Sequence, residues 1–152
     1  MPAFHYRMQN ILDIKSKLEV QQKMEYARAN AALQEEQAIL EDLLLRRSSY
    51  ENKLKEEQSG TLHLTEINFL RNAILIMDGK VNEQIRNVSM AQNRVEIERS
   101  KLDEAMKERK TYEKLREKAF EEFKAEVLYK ESKEVDELVA YTYGNIDDAS
   151  QE

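Results

Sequence analysis

The fold is decided by residues 67–102, which read INFLRNAILIMDGKVNEQIRNVSMAQNRVEIERSKL. Steps of seven residues along this stretch meet an apolar side chain each time, at Ile67, Ile74, Val81, Val88, Val95 and Leu102. A companion set completes a three-four repeat, at Leu70, Met77, Gln84, Ala91 and Glu98. Apolar residues every 3.5 positions form a seam that another helix must cover. The stretch therefore predicts a long helix in a few-stranded coiled coil, with a seam that becomes polar towards the C terminus.

The composition of the whole chain agrees with this seam. Ala, Glu, Lys, Leu and Arg make up half of the 152 residues, and there are only 3 Gly and 1 Pro. Because parallel sheets, sandwiches and nucleotide-binding loops need many turns, a compact α/β enzyme is excluded. The predicted fold class is all-α, a long antiparallel coiled-coil hairpin of two helices in which the second helix overhangs the first.

Other classes of protein are excluded by the same residues. With 0 Cys there is no disulfide framework and no thiolate metal site. A net charge of −6 with both signs interspersed argues against nucleic-acid binding, which needs a basic stripe. The longest apolar run, residues 73–77, is far shorter than the ~18 residues of a membrane span. Since the first residues also lack the apolar region of a signal peptide, the expected location is the cytoplasm.

A single reversal of the chain is predicted around Gly60. This glycine is expected to adopt the left-handed conformation that ends a helix, and Thr65 is expected to cap the next helix. Only Gly79 interrupts the long pattern that follows. The predicted organisation is one coiled-coil domain over 1–143, with helix 4–57, turn 58–65 and helix 66–141, and a disordered acidic tail at 144–152.

The two predicted helices differ in length. At ~1.5 Å per residue the second would extend about 110 Å and the first about 80 Å. Folding about Gly60 pairs residues whose numbers sum to about 120, which places Phe4 near Arg116. The roughly 25 residues beyond Arg116 are then expected to lack a partner within the chain.

Neither a metal site nor a catalytic site is predicted. His5 and His63 lie at opposite ends of the predicted hairpin, whereas metal ligands must converge. Carboxylate pairs such as Glu35 and Glu36 find no concave pocket on two paired helices, so a solvated charged face is the better interpretation. The chain is therefore expected not to be an enzyme and to need no cofactor.

Two apolar surfaces exceed what one seam needs. Near the turn, residues 39–45 face residues 69–77 across the hairpin, and they form either a thicker core or an exposed patch with Tyr50 beside it. On the overhang, one face at i, i+3, i+7 and i+8 consists of Phe120, Phe123, Val127 and Leu128. That spacing is typical of a helix that docks into a groove, and fraying or self-association is the alternative.

Three short motifs resemble those of the FliJ family of flagellar export proteins. Residues 4–13, FHYRMQNILD, resemble the family's opening Phe-x-x-Arg-x-Gln-x-hydrophobic-Leu-acidic pattern. Residues 112–118, YEKLREK, are similar to its aromatic-Glu-x-hydrophobic-x-Glu signature. Residues 134–137, EVDE, are similar to its closing Lys/Glu-x-Asp-Glu element. The three motifs occur in the family's order, and the resemblance covers residues 4–140.

The resemblance implies an accessory of the type III export apparatus, similar in shape to the central stalk of a rotary ATPase. Such a stalk would insert the end carrying both termini into the ring of the export ATPase FliI and promote its assembly. It would also contact the export gate FlhA and handle flagellar export chaperones. The implied ATPase-facing residues are Phe4, Arg7, Gln9, Glu113, Leu115, Arg116, Phe120, Phe123, Asp136 and Glu137. The implied gate-facing residues are Leu43 and Tyr50.

The resemblance also implies a state and a location. The protein is expected to be a monomer when free, with no nucleic-acid or metal partner. It is expected in the cytoplasm, peripherally associated with the inner face of the cell membrane at the flagellar basal body. Two alternatives stay open, a structural coiled-coil scaffold dimerised by the overhang and the equivalent stalk of a virulence type III secretion system.

Overall fold

The fold is all-α, as the sequence predicts. The computed structural model describes residues 2–61 and 63–150, with side chains described up to residue 146. Helix α1 spans Gln9–Ser59 and helix α2 spans Leu64–Ser150, and the two pack against each other in antiparallel directions. The described residues contain no strand.

The chain divides into two compact units. Unit 1 consists of Met1–Lys17 and Met106–Glu152, and unit 2 consists of Leu18–Ala105. Each unit takes one part from each helix, so each contains its own stretch of helix pairing. That residues 1–143 form a single domain stays a prediction.

The core of unit 2 is the predicted seam. Its buried apolar residues on α2 are Ile67, Leu70, Met77, Val81 and Val95, and α1 contributes Ala29. Between them, two polar seam positions of α2, Gln84 and Glu98, are buried as well. The three-four repeat therefore predicted the side of α2 that packs on α1.

Two polar layers define the register of unit 2. The Gln22 Nε2 donates to the main-chain oxygen of Glu98 at 3.1 Å and to its carboxylate at 2.5 Å. The Gln84 Nε2 donates to the main-chain oxygen of Glu36 at 2.8 Å and also to its carboxylate. The residue numbers sum to 120 in both pairs, which is the register expected from folding about Gly60. A shifted register of the two helices would leave these buried polar groups without their hydrogen bonds. The two layers therefore disfavour any other register.

The turn differs from the predicted one in its local chemistry. Helix α1 continues to Ser59, whose hydroxyl donates to the Glu56 carbonyl at 3.0 Å. Among the described residues no glycine has a positive φ, so the left-handed conformation expected of Gly60 is wrong. Thr65 lies inside α2, which begins at Leu64, so it is not the residue that caps the helix. Residue 62 of the predicted turn lies outside the described residues.

The helix limits also differ from the predicted ones. Helix α1 begins at Gln9 rather than at residue 4, because residues 2–6 are not helical and the Gln9 amide closes a turn on the Tyr6 carbonyl at 3.1 Å. Helix α2 continues without interruption through Gly79 and on to Ser150. It thus includes residues 144–150 of the predicted disordered tail, and residues 151–152 of that tail lie outside the described residues.

Candidate interaction sites

An aromatic cluster joins the N-terminal residues of unit 1 to α2. The Phe4 ring lies edge-on to Phe120, with centroids 5.1 Å apart, and 5.3 Å from Phe123. The Arg116 guanidinium lies 5.9 Å from the Phe4 ring, as the predicted register requires. The expectation that everything beyond Arg116 lacks a partner within the chain is wrong, since residues 2–8 cover α2 as far as the Phe123 turn.

Polar contacts hold the same residues in place. The Tyr6 hydroxyl donates to the Tyr112 carbonyl at 3.4 Å, and the Arg116 Nε donates to the Gln9 Oε1 at 2.9 Å. Six residues further along α1, the Lys15 ammonium donates to the Glu108 carboxylate at 2.8 Å, and this hydrogen bond raises the pKa of Lys15 above its usual 10.5. Because such exposed pairs contribute little stability, the aromatic rings are the stronger attachment of this segment.

A shallow groove beside the cluster gathers several of the residues implied to face the ATPase. Phe4, Arg7, Leu115 and Phe123 line it, together with Lys118, Ala119, Glu122 and Glu126. The groove therefore has an apolar floor and a rim that carries both signs of charge. This composition suits a protein surface and offers no enclosed site for a small substrate.

The remaining ATPase-facing candidates are distributed along unit 1. Gln9 is bonded to Arg116, and Glu113 forms an ion pair with Arg109 at 2.7 Å on α2 itself. Asp136 and Glu137 are exposed and lie on α2 13 and 14 residues beyond Phe123, which is about 20 Å along a helix. The structure thus brings most of the predicted set together and leaves those two acidic residues apart from it.

The predicted docking face of the overhang is divided, because the N-terminal residues cover only part of it. Val127 is only 7% exposed, whereas its neighbour Leu128 is 65% exposed. Phe123 is half-buried beneath Phe4, and Phe120 lies at the edge of the cluster with the Lys124 ammonium 4.7 Å from its ring. The four residues therefore do not form one free face.

The two gate-facing candidates lie in unit 2 and are half-buried. Leu43 faces α2, and Tyr50 lines a shallow groove with Phe69, Ala73 and Ile76. Arg46 and Lys80 lie at the rim of this groove. Sequence reasoning did not identify Lys80 as part of the surface, because it lies on the other helix and meets Arg46 only once the register is known.

The apolar residues near the turn include both buried core residues and exposed residues, the two alternatives that the sequence left open. Leu70 and Met77 are core, whereas Leu45, Phe69, Leu75 and Ile76 are 60–67% exposed. An arginine from α1 also crosses to α2 here, with the Arg47 Nε 2.8 Å from the Asp78 carboxylate. The two helices do not cover these four exposed apolar side chains.

One buried carboxylate has a structural explanation. Glu98 is 2% exposed and accepts a hydrogen bond from Gln22, which lowers its pKa below the usual 4.5; the cations Lys101 and Arg94 act in the same direction against the opposing effect of burial. Its partners are Gln22 across the seam and the neighbouring Arg94 and Lys101 on α2 itself. The position therefore contributes to register, and nothing about it indicates catalysis.

Two other kinds of site are absent from the described residues. Residues 2–61 and 63–146 contain no group of three or more acidic or histidine side chains placed to hold a metal ion. In the same residues, neither helix contains a stretch apolar enough to cross a membrane.

Comparison with known proteins agrees with the resemblance carried by the three motifs. A family model described as Flagellar FliJ protein matches residues 4–146. The searches of curated proteins and of solved structures give no significant match. The family match covers both helices, the aromatic cluster and the groove beside it, and the family is a non-enzymatic component of flagellar export. The chain therefore belongs to the flagellar FliJ family and is a flagellar export-related protein.

Proposed function

We propose that this chain is the central stalk of the export ATPase ring, promoting assembly of FliI through the unit 1 groove. The observation that carries the proposal is the packing of Phe4 on α2, which brings Phe4, Arg7 and Leu115 into one surface at the end of the paired helices that holds the N terminus. Membership of the FliJ family supports an export role for that surface.

The charge pattern of unit 1 suits contact with successive subunits of a ring. Several of its ion pairs, such as Lys124–Glu121 at 3.3 Å and Lys130–Glu126 at 3.3 Å, join neighbours on one helix and are largely exposed. A solvent-exposed ion pair contributes only about 0–1 kcal/mol. No single ion pair formed with a ring subunit would therefore hold the stalk in one orientation. An apolar floor with a mixed-charge rim can therefore bind without fixing one orientation.

The groove of unit 2 supports a second part of the proposal, contact with the export gate FlhA. Tyr50, Phe69 and Ile76 offer aromatic and aliphatic area, which dominates the energy of most protein interfaces. Binding of export chaperones and peripheral association with the inner face of the cell membrane at the flagellar basal body complete the proposed role.

The ATPase contact is tested by the rate of ATP hydrolysis by purified FliI. Full-length chain is expected to raise this rate, and Arg7→Ser together with Leu115→Ser is expected to reduce the increase. Met90→Ser is the matched control, because Met90 is a similarly exposed apolar residue in unit 2. Equal stimulation by all three proteins would contradict an ATPase contact at this groove.

The gate contact is tested separately. Phe69→Ser with Ile76→Ser is expected to weaken capture of purified FlhA while stimulation of FliI stays unchanged. Loss of both activities would indicate a general defect of folding, which circular dichroism would reveal as reduced helicity. Unchanged capture would contradict the assignment of the gate to this groove.

A structural scaffold is the second candidate, because α2 has exposed apolar side chains beyond the aromatic cluster. A scaffold dimerised by these residues would sediment as a dimer, whereas a stalk is expected to sediment as a monomer. A virulence-system stalk would share the fold, and it would stimulate the ATPase of its own system rather than FliI.

A further inference from the structure

The C-terminal segment, residues 128–146, forms an apolar face of α2 that no other described residue covers. Its exposed apolar side chains are Leu128, Tyr129, Val135, Leu138, Val139, Tyr141, Tyr143 and Ile146. Six side chains from its C-terminal two-thirds line one shallow groove along the helix, Val135, Leu138, Val139, Thr142, Tyr143 and Ile146. The spacing of i, i+3, i+4, i+7, i+8 and i+11 describes one continuous side of a helix.

This face is not a continuation of the seam that packs on α1. Extending the three-four repeat beyond Phe123 leads to four charged residues, Glu126, Lys130, Lys133 and Glu137. At roughly 100° per residue, Val135 lies about 200° around the helix from Lys133. The apolar face therefore lies on the opposite side of α2, and a longer α1 in the same register would not have covered it.

The charge around the face selects among possible occupants. Residues 134–146 contain Glu134, Asp136 and Glu137 and no lysine or arginine. Among the described residues none of these carboxylates has an ion pair. A second copy packed on the face in parallel would bring the two acidic groups together. An anionic lipid surface would be repelled for the same reason.

We propose that the C-terminal segment is a docking site for a partner helix whose apolar stripe is bordered by lysine or arginine. Residues 135–146 make about three turns, roughly 17 Å of helix, which matches the length over which amphipathic helices dock by i, i+3 and i+7 anchors. The cations of the partner would face Glu134 and Asp136, which flank the apolar face, and fix its orientation. The proposal goes beyond the stalk function and assigns Asp136 to this surface rather than to the ATPase-facing groove.

The test uses the full chain and a labelled helical peptide of leucine and lysine, with leucine at the three-four spacing. Fluorescence anisotropy is expected to show binding of this peptide and at least about tenfold weaker binding of a matched leucine–glutamate peptide. Leu138→Ser with Val139→Ser is expected to weaken binding of the lysine peptide by about tenfold or more, since both anchors line the groove. Glu134→Gln with Asp136→Asn is expected to reduce the salt dependence of binding.

The matched control is Ile85→Ser with Met90→Ser, two exposed apolar residues of unit 2, which should leave peptide binding unchanged. Equal binding by the Leu138→Ser, Val139→Ser protein would overturn the proposal, because attraction would then be general to an acidic chain. The proposal would also be overturned if the chain sedimented as a dimer and the same substitutions made it a monomer. The occupant of the face would then be a second copy of the chain. Stimulation of FliI by the Leu138→Ser, Val139→Ser protein is measured in parallel and should not change. Failure of the docking proposal can therefore be distinguished from failure of the stalk proposal.

Discussion

Replacing Phe4 by alanine tests whether the aromatic cluster holds the N-terminal segment on α2. The ring contacts Phe120 at 5.1 Å, Phe123 at 5.3 Å and the Arg116 guanidinium at 5.9 Å. A fully buried Phe→Ala change costs about 3–5 kcal/mol, and Phe4 is half-buried, so about 2 kcal/mol is expected. A free-energy change of about 1.4 kcal/mol changes an equilibrium constant tenfold. The detached state of residues 2–8 should therefore become roughly 30 times more populated.

Limited trypsin digestion measures this detachment. Arg7 lies in the segment, and cleavage after it needs the surrounding residues to leave α2. When opening and closing are fast, the cleavage rate follows the population of the open state, so cleavage after Arg7 should accelerate by roughly 30-fold. Phe69→Ala is the control, since that ring is 67% exposed in unit 2 and should leave cleavage at Arg7 unchanged.

A double-mutant cycle identifies the contact responsible. Phe4→Ala and Phe123→Ala combined should cost less than the sum of the two single changes, with a coupling of about 0.5–1.5 kcal/mol for an aromatic pair. Cleavage after Arg7 within about twofold of the unaltered chain would refute the reasoning, because the rings would then not be what attaches the segment.

Three further predictions concern the stability of unit 2. Gly79→Ala should stabilise the chain by about 0.5–1 kcal/mol in urea unfolding, since a Cβ at this helical position meets nothing within 4 Å. Leu75→Lys should change the melting temperature little, because Leu75 is 67% exposed, whereas Leu70→Lys should cost about 3 kcal/mol or more at a position that is 5% exposed. Because its Gln22 hydrogen bond lowers the pKa of Glu98, that carboxylate stabilises the fold above its usual pKa of 4.5, and the stabilisation is lost as the pH falls through the folded value. Thermal melting followed from neutral pH into the acid range should therefore show a decline that Glu98→Gln makes shallower.

The seam of α2 was predictable from the sequence because its information is local. Ile67, Val81 and Val95 are seven or fourteen residues apart, and helical geometry alone places them on one side. The antiparallel partner was equally predictable, since a chain with one reversal has one way to cover such a seam. The register near 120 followed from placing that reversal at Gly60.

The limits of the helices were less predictable, because tertiary contacts decide them. Residues 4–8 contain nothing that prevents a helix, yet residues 4–6 stay non-helical where Phe4 packs on Phe120 and Phe123. Gly60 is compatible with a left-handed turn, but its conformation depends on how Ser59 and Glu56 end α1. Gln84 and Glu98 each bond to a residue of α1 across the seam. Predicting those bonds likewise required knowing which residues of α1 lie opposite them.

The point at which α2 becomes free for another protein is set by side chains rather than by helix length alone. Pairing with α1 would end near Arg116, since α1 begins at Gln9 and the two are bonded. The non-helical residues before Gln9 extend the cover to Phe123, and the seam positions after that are charged. From Leu128 onward the apolar side of α2 therefore points away from the α1-facing seam. Removing residues 2–8 would uncover Phe120 and Phe123 next to that side.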